Sequence, residues 1–171
     1  MSSQKVFDAA MIFLFDSEGG LSDDLYDMGG LTKYGITQKK YPDLDIANLT
    51  RSDAEKIYYR DYWLKIKCNV FAAPLAIVLF DSGVNCGTGS AAKWLQKSCN
   101  RLGANLKIDG SIGPKTINAC LALPHRKVLD HIIAYRLDRY FNLTKRHPTQ
   151  MRFIRGWMRR AANLLRYSTK F

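Results

Sequence analysis

Residues 5–20 read KVFDAAMIFLFDSEGG, and this stretch decides how the chain begins to fold. Apolar side chains at positions 6, 9, 10, 13 and 14 recur at helical spacing, which predicts a helix over residues 5–17. Gly19 and Gly20 form a helix stop signal. The helix is therefore expected to deliver Glu18 to a loop.

Glu18 is one of only two glutamates in the 171-residue chain. A carboxylate at the C-terminal end of a helix faces exposed carbonyl groups, and residues 11–15 add an apolar flank, so both effects are expected to raise the pKa of Glu18. A carboxylic acid that stays protonated near neutral pH can protonate a departing sugar oxygen. The alternative is a solvated acid at a helix end.

Charge is distributed unevenly along the chain. The net charge is +11, but residues 1–70 carry 9 basic and 11 acidic side chains, whereas residues 71–171 carry 17 basic and 4 acidic ones. The strongly basic second half favours a polyanionic partner: nucleic acid, an acidic membrane face or a cell-wall polymer with carboxylates and phosphates. Composition does not choose among these.

The four cysteines have no zinc-site spacing and are expected to be buried thiols, although up to two disulfides are compatible with an oxidising compartment. The N-terminus lacks a signal-peptide layout, and the apolar run over residues 9–15 is too short to span a bilayer. We therefore expect synthesis in the cytoplasm and no membrane insertion.

The remaining periodicity predicts an all-α or nearly all-α fold of about seven or eight helices, with a short irregular or hairpin-like segment after the first helix. Residues 75–80 fit either a buried strand or a buried helix, and the polar, glycine-containing residues 81–89 are expected to interrupt it. The other predicted helices cover residues 34–41, 52–62, 90–102, 127–141 and 149–167, and a further helix begins at Pro114. A capping box at Ser52 is expected to start the helix over 52–62, and Thr149 is expected to cap the helix over 149–167.

Three motifs in the first half, EGGL at 18–21, DMGG at 27–30 and YGIT at 34–37, resemble the signature of glycoside hydrolase family 108, a group of bacterial and phage N-acetylmuramidases. Leu21 and Met28 depart from the tyrosine and proline of that signature, and the change at Leu21 bears on substrate preference. A second block, FDSGVN at 80–85, WLQ at 94–96 and DGSIGPKT at 109–116, is similar to the predicted peptidoglycan-binding domain that follows in this family.

The resemblance implies a lysozyme-like helical fold with a catalytic muramidase region over residues 1–85 and a basic helical peptidoglycan-binding region over residues 86–171. It also implies roles by similarity to phage-type lysozymes. Glu18 is the general acid, Asp27 activates a water or stabilises oxocarbenium charge, and Thr32 helps to hold the water. Asp27 has an alternative role as a turn residue, and Asp23 and Asp24 compete as the second carboxylate.

Four residues are candidate substrate-binding groups. Tyr34 and Trp63 offer aromatic faces for sugar stacking, although aromatic residues near helices are more often core. Asn85 can donate hydrogen bonds to an N-acetyl group or close its own turn. Gln96 is expected to support Asn85 more than to touch substrate.

The sequence therefore predicts hydrolysis of the β-1,4 bond between N-acetylmuramic acid and N-acetylglucosamine, with no metal or organic cofactor. A lytic transglycosylase and a non-catalytic wall-binding module remain alternatives. The arginines of residues 152–166 also suggest nucleic-acid binding as a further alternative function, but no nucleic-acid-binding motif accompanies them. We expect a monomer that binds peptidoglycan and acts in the periplasm or cell wall after export or holin-dependent release.

Overall fold

A computed structural model describes residues 1–17 and 31–171. In this part of the chain it contains seven α-helices, one π-helix, two 3₁₀-helices and one two-stranded antiparallel sheet. The predicted all-α, lysozyme-like fold class is thus confirmed. None of the described helices is both long and apolar enough to cross a membrane.

The α-helices are α1 (Ser3–Ser17), α2 (Arg51–Tyr58), α3 (Ala73–Cys86), α4 (Thr88–Arg101), α5 (Pro114–Leu121), α6 (His125–Arg146) and α7 (Ile154–Ser168). The strands are β1 (Thr32–Lys33) and β2 (Ile36–Thr37). A π-helix (Tyr59–Leu64) continues α2, and 3₁₀-helices cover Cys68–Val70 and Pro148–Phe153.

Helix α3 is the centre of the packing. Its residues 75–83 are all buried, and it contacts α1, α4, α6 and α7. A helix surrounded in this way is buried on every side, so its apolar residues are not confined to one face and its sequence lacks amphipathic periodicity. The open choice between strand and helix for residues 75–80 is thereby decided in favour of a helix. Because α3 packs on helices from both halves, the proposed division at residue 85 separates segments that share one core.

The expected interruption over residues 81–89 is wrong for most of its length, since α3 continues to Cys86. Gly83 lies inside the helix. Glycine fits at this position because a Cβ there would stand 2.9 Å from Ile66 Cδ1. The glycine therefore allows close approach of the chain after the π-helix. Only Gly87, with φ +90, separates α3 from α4.

The helix predicted over residues 34–41 is also wrong. Tyr34 and Gly35 have φ values of 53 and 75, so they form the two-residue turn between β1 and β2. Positive φ at both central positions is the pattern of a tight hairpin turn, and glycine meets it at low cost. A helix needs negative φ throughout.

Three smaller expectations concern helix starts. Pro114 begins α5 as predicted. Helix α2 begins at Arg51 instead of Ser52, because the Thr50 hydroxyl accepts a bond from the Asp53 amide at 3.2 Å. Thr149 does not cap α7, since it lies within the 3₁₀-helix Pro148–Phe153.

Candidate functional site

Glu18 and Asp27, like the competing Asp23 and Asp24, lie outside the described residues. The structure does describe the two elements that flank this segment, namely the end of α1 and the β1–β2 hairpin. The Phe15 ring at the end of α1 lies 6.2 Å from the Tyr34 ring at the hairpin turn, in an edge-to-face arrangement. The fold therefore brings together the chain before Glu18 and the YGIT motif.

The hairpin is attached to the helical body by its turn. The Tyr58 hydroxyl of α2 donates to the Tyr34 carbonyl oxygen at 3.0 Å, and Ile36 is buried in the core. A Cβ on Gly35 would stand 2.6 Å from the same hydroxyl oxygen, so only glycine fits between the turn and α2. The YGIT motif thus acts as an anchored turn in this structure.

Thr32 pairs with Thr37 across this hairpin and is half-buried. Its proposed role in holding a water stays a prediction. Tyr34 is also half-buried, and Lys33 Nζ lies 5.8 Å from the centre of its ring. Its proposed role in sugar stacking likewise remains a prediction.

A cleft of about 380 Å³ lies between the segment that follows the hairpin and the junction of α3 and α4. Its polar wall comes from Lys40, Tyr41, Asp61 and Tyr62, and its other wall from Gly83, Val84, Gly87 and Thr88. No sequence motif assigns a site role to Lys40, Tyr41 or Asp61. Lys40 and Tyr41 lie 20 or more positions before Asp61 in the chain, so no local pattern reveals that they meet at one cleft.

Hydrogen bonds fix this polar wall. The Tyr41 hydroxyl donates to Asp61 Oδ2 at 2.8 Å, and Arg60 Nε donates to Asp61 Oδ1 at 2.6 Å. The bond from Arg60 holds the pKa of the Asp61 carboxyl below its usual range, and burial raises the pKa of Tyr41. Lys40 bonds to the Tyr62 hydroxyl. The cleft therefore presents a lysine, a tyrosine and an ionised carboxylate at neutral pH.

Trp63 lies outside this cleft, and its expected stacking role is wrong for this structure. Its side chain is 0 % exposed, and its ring packs edge-to-face on Phe7 at 5.4 Å and Phe80 at 5.6 Å. A ring without an exposed face cannot stack on a sugar. Trp63 is a core residue that joins α1, the π-helix and α3.

Asn85 lies exposed on the last turn of α3, next to residues that line the cleft. The Tyr140 hydroxyl donates to its side-chain oxygen at 2.8 Å. Among the described residues the Asn85 amide nitrogen has no hydrogen-bond partner. The orientation of Asn85 thus leaves a donor for a substrate, and its predicted contact with an N-acetyl group remains a prediction.

Behind Asn85 lies a buried charge network. Arg136 Nε donates to the Tyr140 hydroxyl oxygen at 2.5 Å, and Arg136 Nη1 donates to Asp81 Oδ2 at 2.5 Å. Arg160 Nη2 donates to Asp81 Oδ1 at 2.7 Å. Burial acts to raise the pKa of Asp81, but the two guanidinium groups outweigh it and hold that pKa below its usual range. The network joins α3, α6 and α7 behind the exposed amide.

Gln96 supports a different element from the one expected. It is 1 % exposed, and its amide donates to Asp109 Oδ1 at 2.8 Å and to the Ser111 carbonyl at 2.9 Å, while Gly110 N donates to its oxygen at 2.9 Å. All these partners belong to the loop before α5. Gln96 therefore fixes that loop, and neither Asn85 nor a substrate is its partner here.

All four cysteines are buried and free. Within the described residues no cluster of three or more His, Cys, Asp or Glu side chains is arranged to hold a metal ion. The described part of the site thus consists of hydrogen-bonding and charged side chains around an open cleft.

Comparisons with known proteins bear on both halves of the chain. Residues 11–87 match the model of the family Glycosyl hydrolase 108, and residues 90–162 match that of the Predicted Peptidoglycan domain. A solved structure described as that of Brucella abortus SagA is 27 % identical, with a TM-score of 0.79, and the match covers 98 % of this chain and 96 % of that one. No curated protein matches the chain.

A lysozyme-like helical fold with these two matches defines a glycoside hydrolase directed at peptidoglycan. The chain carries a glycosyl hydrolase 108 domain followed by a predicted peptidoglycan domain, which is the family combination that its motifs predicted.

Proposed function

We propose that the protein is an N-acetylmuramidase that hydrolyses the β-1,4 bond between N-acetylmuramic acid and N-acetylglucosamine, with Glu18 as the general acid. The observation that carries this proposal is the glycosyl hydrolase 108 match over residues 11–87, which contains the EGGL, DMGG and YGIT motifs. Supporting it, the fold brings the end of α1 against the hairpin turn, so that residues 18–30 are bounded by two adjacent elements.

In this mechanism the glutamic acid donates its proton to the oxygen that leaves the muramic acid. Asp27 activates the attacking water or stabilises the positive charge that develops on the sugar ring, and Thr32 helps to hold that water. The cleft that Lys40 and Tyr41 line accepts the glycan strand. In this proposal Lys40 and Tyr41, which line the cleft, and Asn85, which lies next to it, bond to the hydroxyl, carboxylate and acetamido groups of the strand.

The test is digestion of purified peptidoglycan by wild type, Glu18→Gln and Glu55→Gln. Glu55 is the other glutamate of the chain and forms an exposed pair with Arg51 at 3.1 Å, so it is a matched control. We expect Glu18→Gln to lower the release of reducing muramic acid ends at least 100-fold, since loss of a general acid costs about 10² to 10⁴ in rate. Glu55→Gln should retain near wild-type activity.

Mass spectrometry of the soluble products separates the alternatives. Hydrolysis leaves reducing muramic ends, whereas a lytic transglycosylase leaves 1,6-anhydro ends because the sugar's own hydroxyl replaces water. Equal activity of Glu18→Gln and wild type would remove Glu18 from the mechanism. Absence of products from wild type, with binding to the walls retained, would instead indicate a wall-binding module.

We further propose that the protein acts as a monomer in the periplasm or cell wall after export or holin-dependent release. The basic second half supports this setting, because a positive field draws the protein towards an acidic wall. Fractionation of producing cells before and after lysis tests it. If all of the activity stayed in the cytoplasmic fraction up to the moment of lysis and none reached the periplasmic or cell-wall fraction, the proposal would be contradicted.

A further inference from the structure

A groove of about 500 Å³ lies between α4 and α6. The sequence assigns it no role. We call it the α4–α6 groove; its lining residues that matter here are Lys93, Trp94, Lys97, Tyr135, Arg139 and Arg146.

The cations of the α4–α6 groove are exposed and unpaired. Within the described part of the chain, none of Lys93, Lys97, Arg139 and Arg146 forms an ion pair. Asp138 is the one carboxylate that lines the groove. Unpaired cations that face each other across a groove repel one another, and a bound anion relieves that repulsion.

The floor of the groove is aromatic but offers little open ring surface. Trp94 is only 8 % exposed, and Tyr135 is half-buried with Lys97 Nζ 5.8 Å from the centre of its ring. Stacking of nucleic-acid bases needs open aromatic faces, which the nearly buried Trp94 does not offer. The partly covered rings of Trp94 and Tyr135 lie among the cations of the groove. This arrangement fits a ligand in which carboxylates alternate with small apolar groups.

The groove also lies next to the cleft along the chain. Gly87 and Thr88 line the cleft, and Ser90, two residues further on, lines the groove. A glycan strand in the cleft would therefore carry its peptide stems past the start of α4. Peptidoglycan stems are short peptides of alanine and acidic residues, so their chemistry matches the cations and the apolar floor.

We propose that the α4–α6 groove binds the carboxylates of peptidoglycan stem peptides. This proposal deepens the proposed function, since it assigns to the second half of the chain the part of the polymer that it recognises. The Lys97 ammonium and the Arg139 guanidinium hold the carboxylates, while the edges of Trp94 and Tyr135 contact the alanine methyl groups.

The test uses the free tetrapeptide stem, released from walls by an amidase, as the titrated probe. This peptide has no glycosidic bond, so its binding is independent of whether the protein is a muramidase. The full chain is compared as wild type, as the groove variant Lys97→Gln/Arg139→Gln, and as the control variant Lys127→Gln/Arg159→Gln. The control removes the same charges from exposed positions of α6 and α7 outside the groove.

We expect wild type and the control variant to bind the peptide with similar affinity and the groove variant to bind about 5-fold or more weakly, because each exposed ionic contact contributes modestly. The same peptide with its carboxyl groups amidated should bind wild type as weakly as the native peptide binds the groove variant. Circular dichroism of each variant checks that the helices are intact.

Three outcomes would overturn the proposal: no binding of the peptide by wild type, equal affinities of the groove and control variants, or equal binding of native and amidated peptide. A groove variant that loses affinity only for a 20-base-pair DNA duplex would assign the groove to nucleic acid instead. Release of reducing ends from intact walls, measured in parallel, reports on the muramidase activity separately.

Discussion

Gly35 shows at the scale of one residue why the YGIT motif needs its glycine. Two constraints coincide there: φ is +75, and a Cβ would stand 2.6 Å from the Tyr58 hydroxyl oxygen. That hydroxyl cannot easily move away, because it donates to the Tyr34 carbonyl. Gly103 has only the first constraint, since its φ is +101 and nothing lies within 4 Å of a Cβ.

We therefore expect Gly35→Ala to lower the free energy of unfolding by about 2–3 kcal/mol and Gly103→Ala by about 1–2 kcal/mol, the latter being the cost of left-handed backbone alone. Urea unfolding followed by circular dichroism measures both. Equal losses in the two variants would mean that the hairpin turn does not rest against Tyr58 in solution.

The same residue explains one limit of sequence reasoning. The spacing of apolar side chains over residues 34–41 resembles a helix, and Gly35 alone does not say which turn it enters. The close approach of Tyr58, which lies 23 positions further along the chain, selects the turn. Trp63 shows a similar limit, because an aromatic side chain looks the same in sequence whether it faces a cleft or the core.

At the scale of elements, the approximate positions of most α-helices followed from the spacing of apolar residues. The residues at which helices end, and the elements against which they pack, did not. The sequence placed a break at residues 81–89 because glycine and asparagine are weak helix formers. Burial among α1, α4, α6 and α7 outweighs that propensity, and α3 continues to Cys86. The candidate site shows the same division: the hairpin residues were found from a motif, while the Lys40, Tyr41 and Asp61 wall depends on contacts distant in sequence.

The loop before α5 offers a prediction at this scale, because buried Gln96 of α4 forms bonds to three of its residues. Gln96→Leu keeps the approximate size of the side chain but removes those bonds, and we expect the free energy of unfolding to fall by about 2 kcal/mol. Amide hydrogen exchange of Gly110, whose N–H donates to Gln96, should accelerate.

Gln4→Leu is the control, since Gln4 forms an exposed bond to Asp8 and its loss should change stability by no more than about 0.5 kcal/mol. If Gln96→Leu left stability and exchange unchanged but weakened binding to peptidoglycan, Gln96 would be a ligand-binding residue. If stability and binding to peptidoglycan both fell, the structural role of Gln96 would account for the loss of binding.

At the scale of the whole molecule, Asp81 connects the two halves of the chain. Its carboxylate lies on α3, within the first matched domain, and its partners Arg136 and Arg160 lie on α6 and α7, within the second. Removal of one member of a buried ionic group leaves the others uncompensated. The network therefore makes the stability of the first matched segment depend on the second.

Asp81→Asn is accordingly expected to lower the free energy of unfolding at pH 7 by about 3–5 kcal/mol. Asp130→Asn removes an exposed carboxylate that pairs with Arg126 on α6, and should change it by no more than about 0.5 kcal/mol. The native pKa of Asp81 lies below its unfolded value of about 3.9, so its contribution is complete above that value and is lost as the pH falls through the native pKa.

The difference in stability between wild type and Asp81→Asn should thus be constant from pH 7 to about pH 5 and shrink at lower pH, because a protonated Asp81 resembles the asparagine. Urea unfolding at pH 7, 5, 4 and 3 measures it, with Asp130→Asn reporting the pH effect common to all variants. A difference that stayed constant down to pH 3 would mean that the native pKa of Asp81 is not lowered and would contradict the prediction. A difference below about 1 kcal/mol at pH 7 would show that the two halves are held together by apolar packing alone.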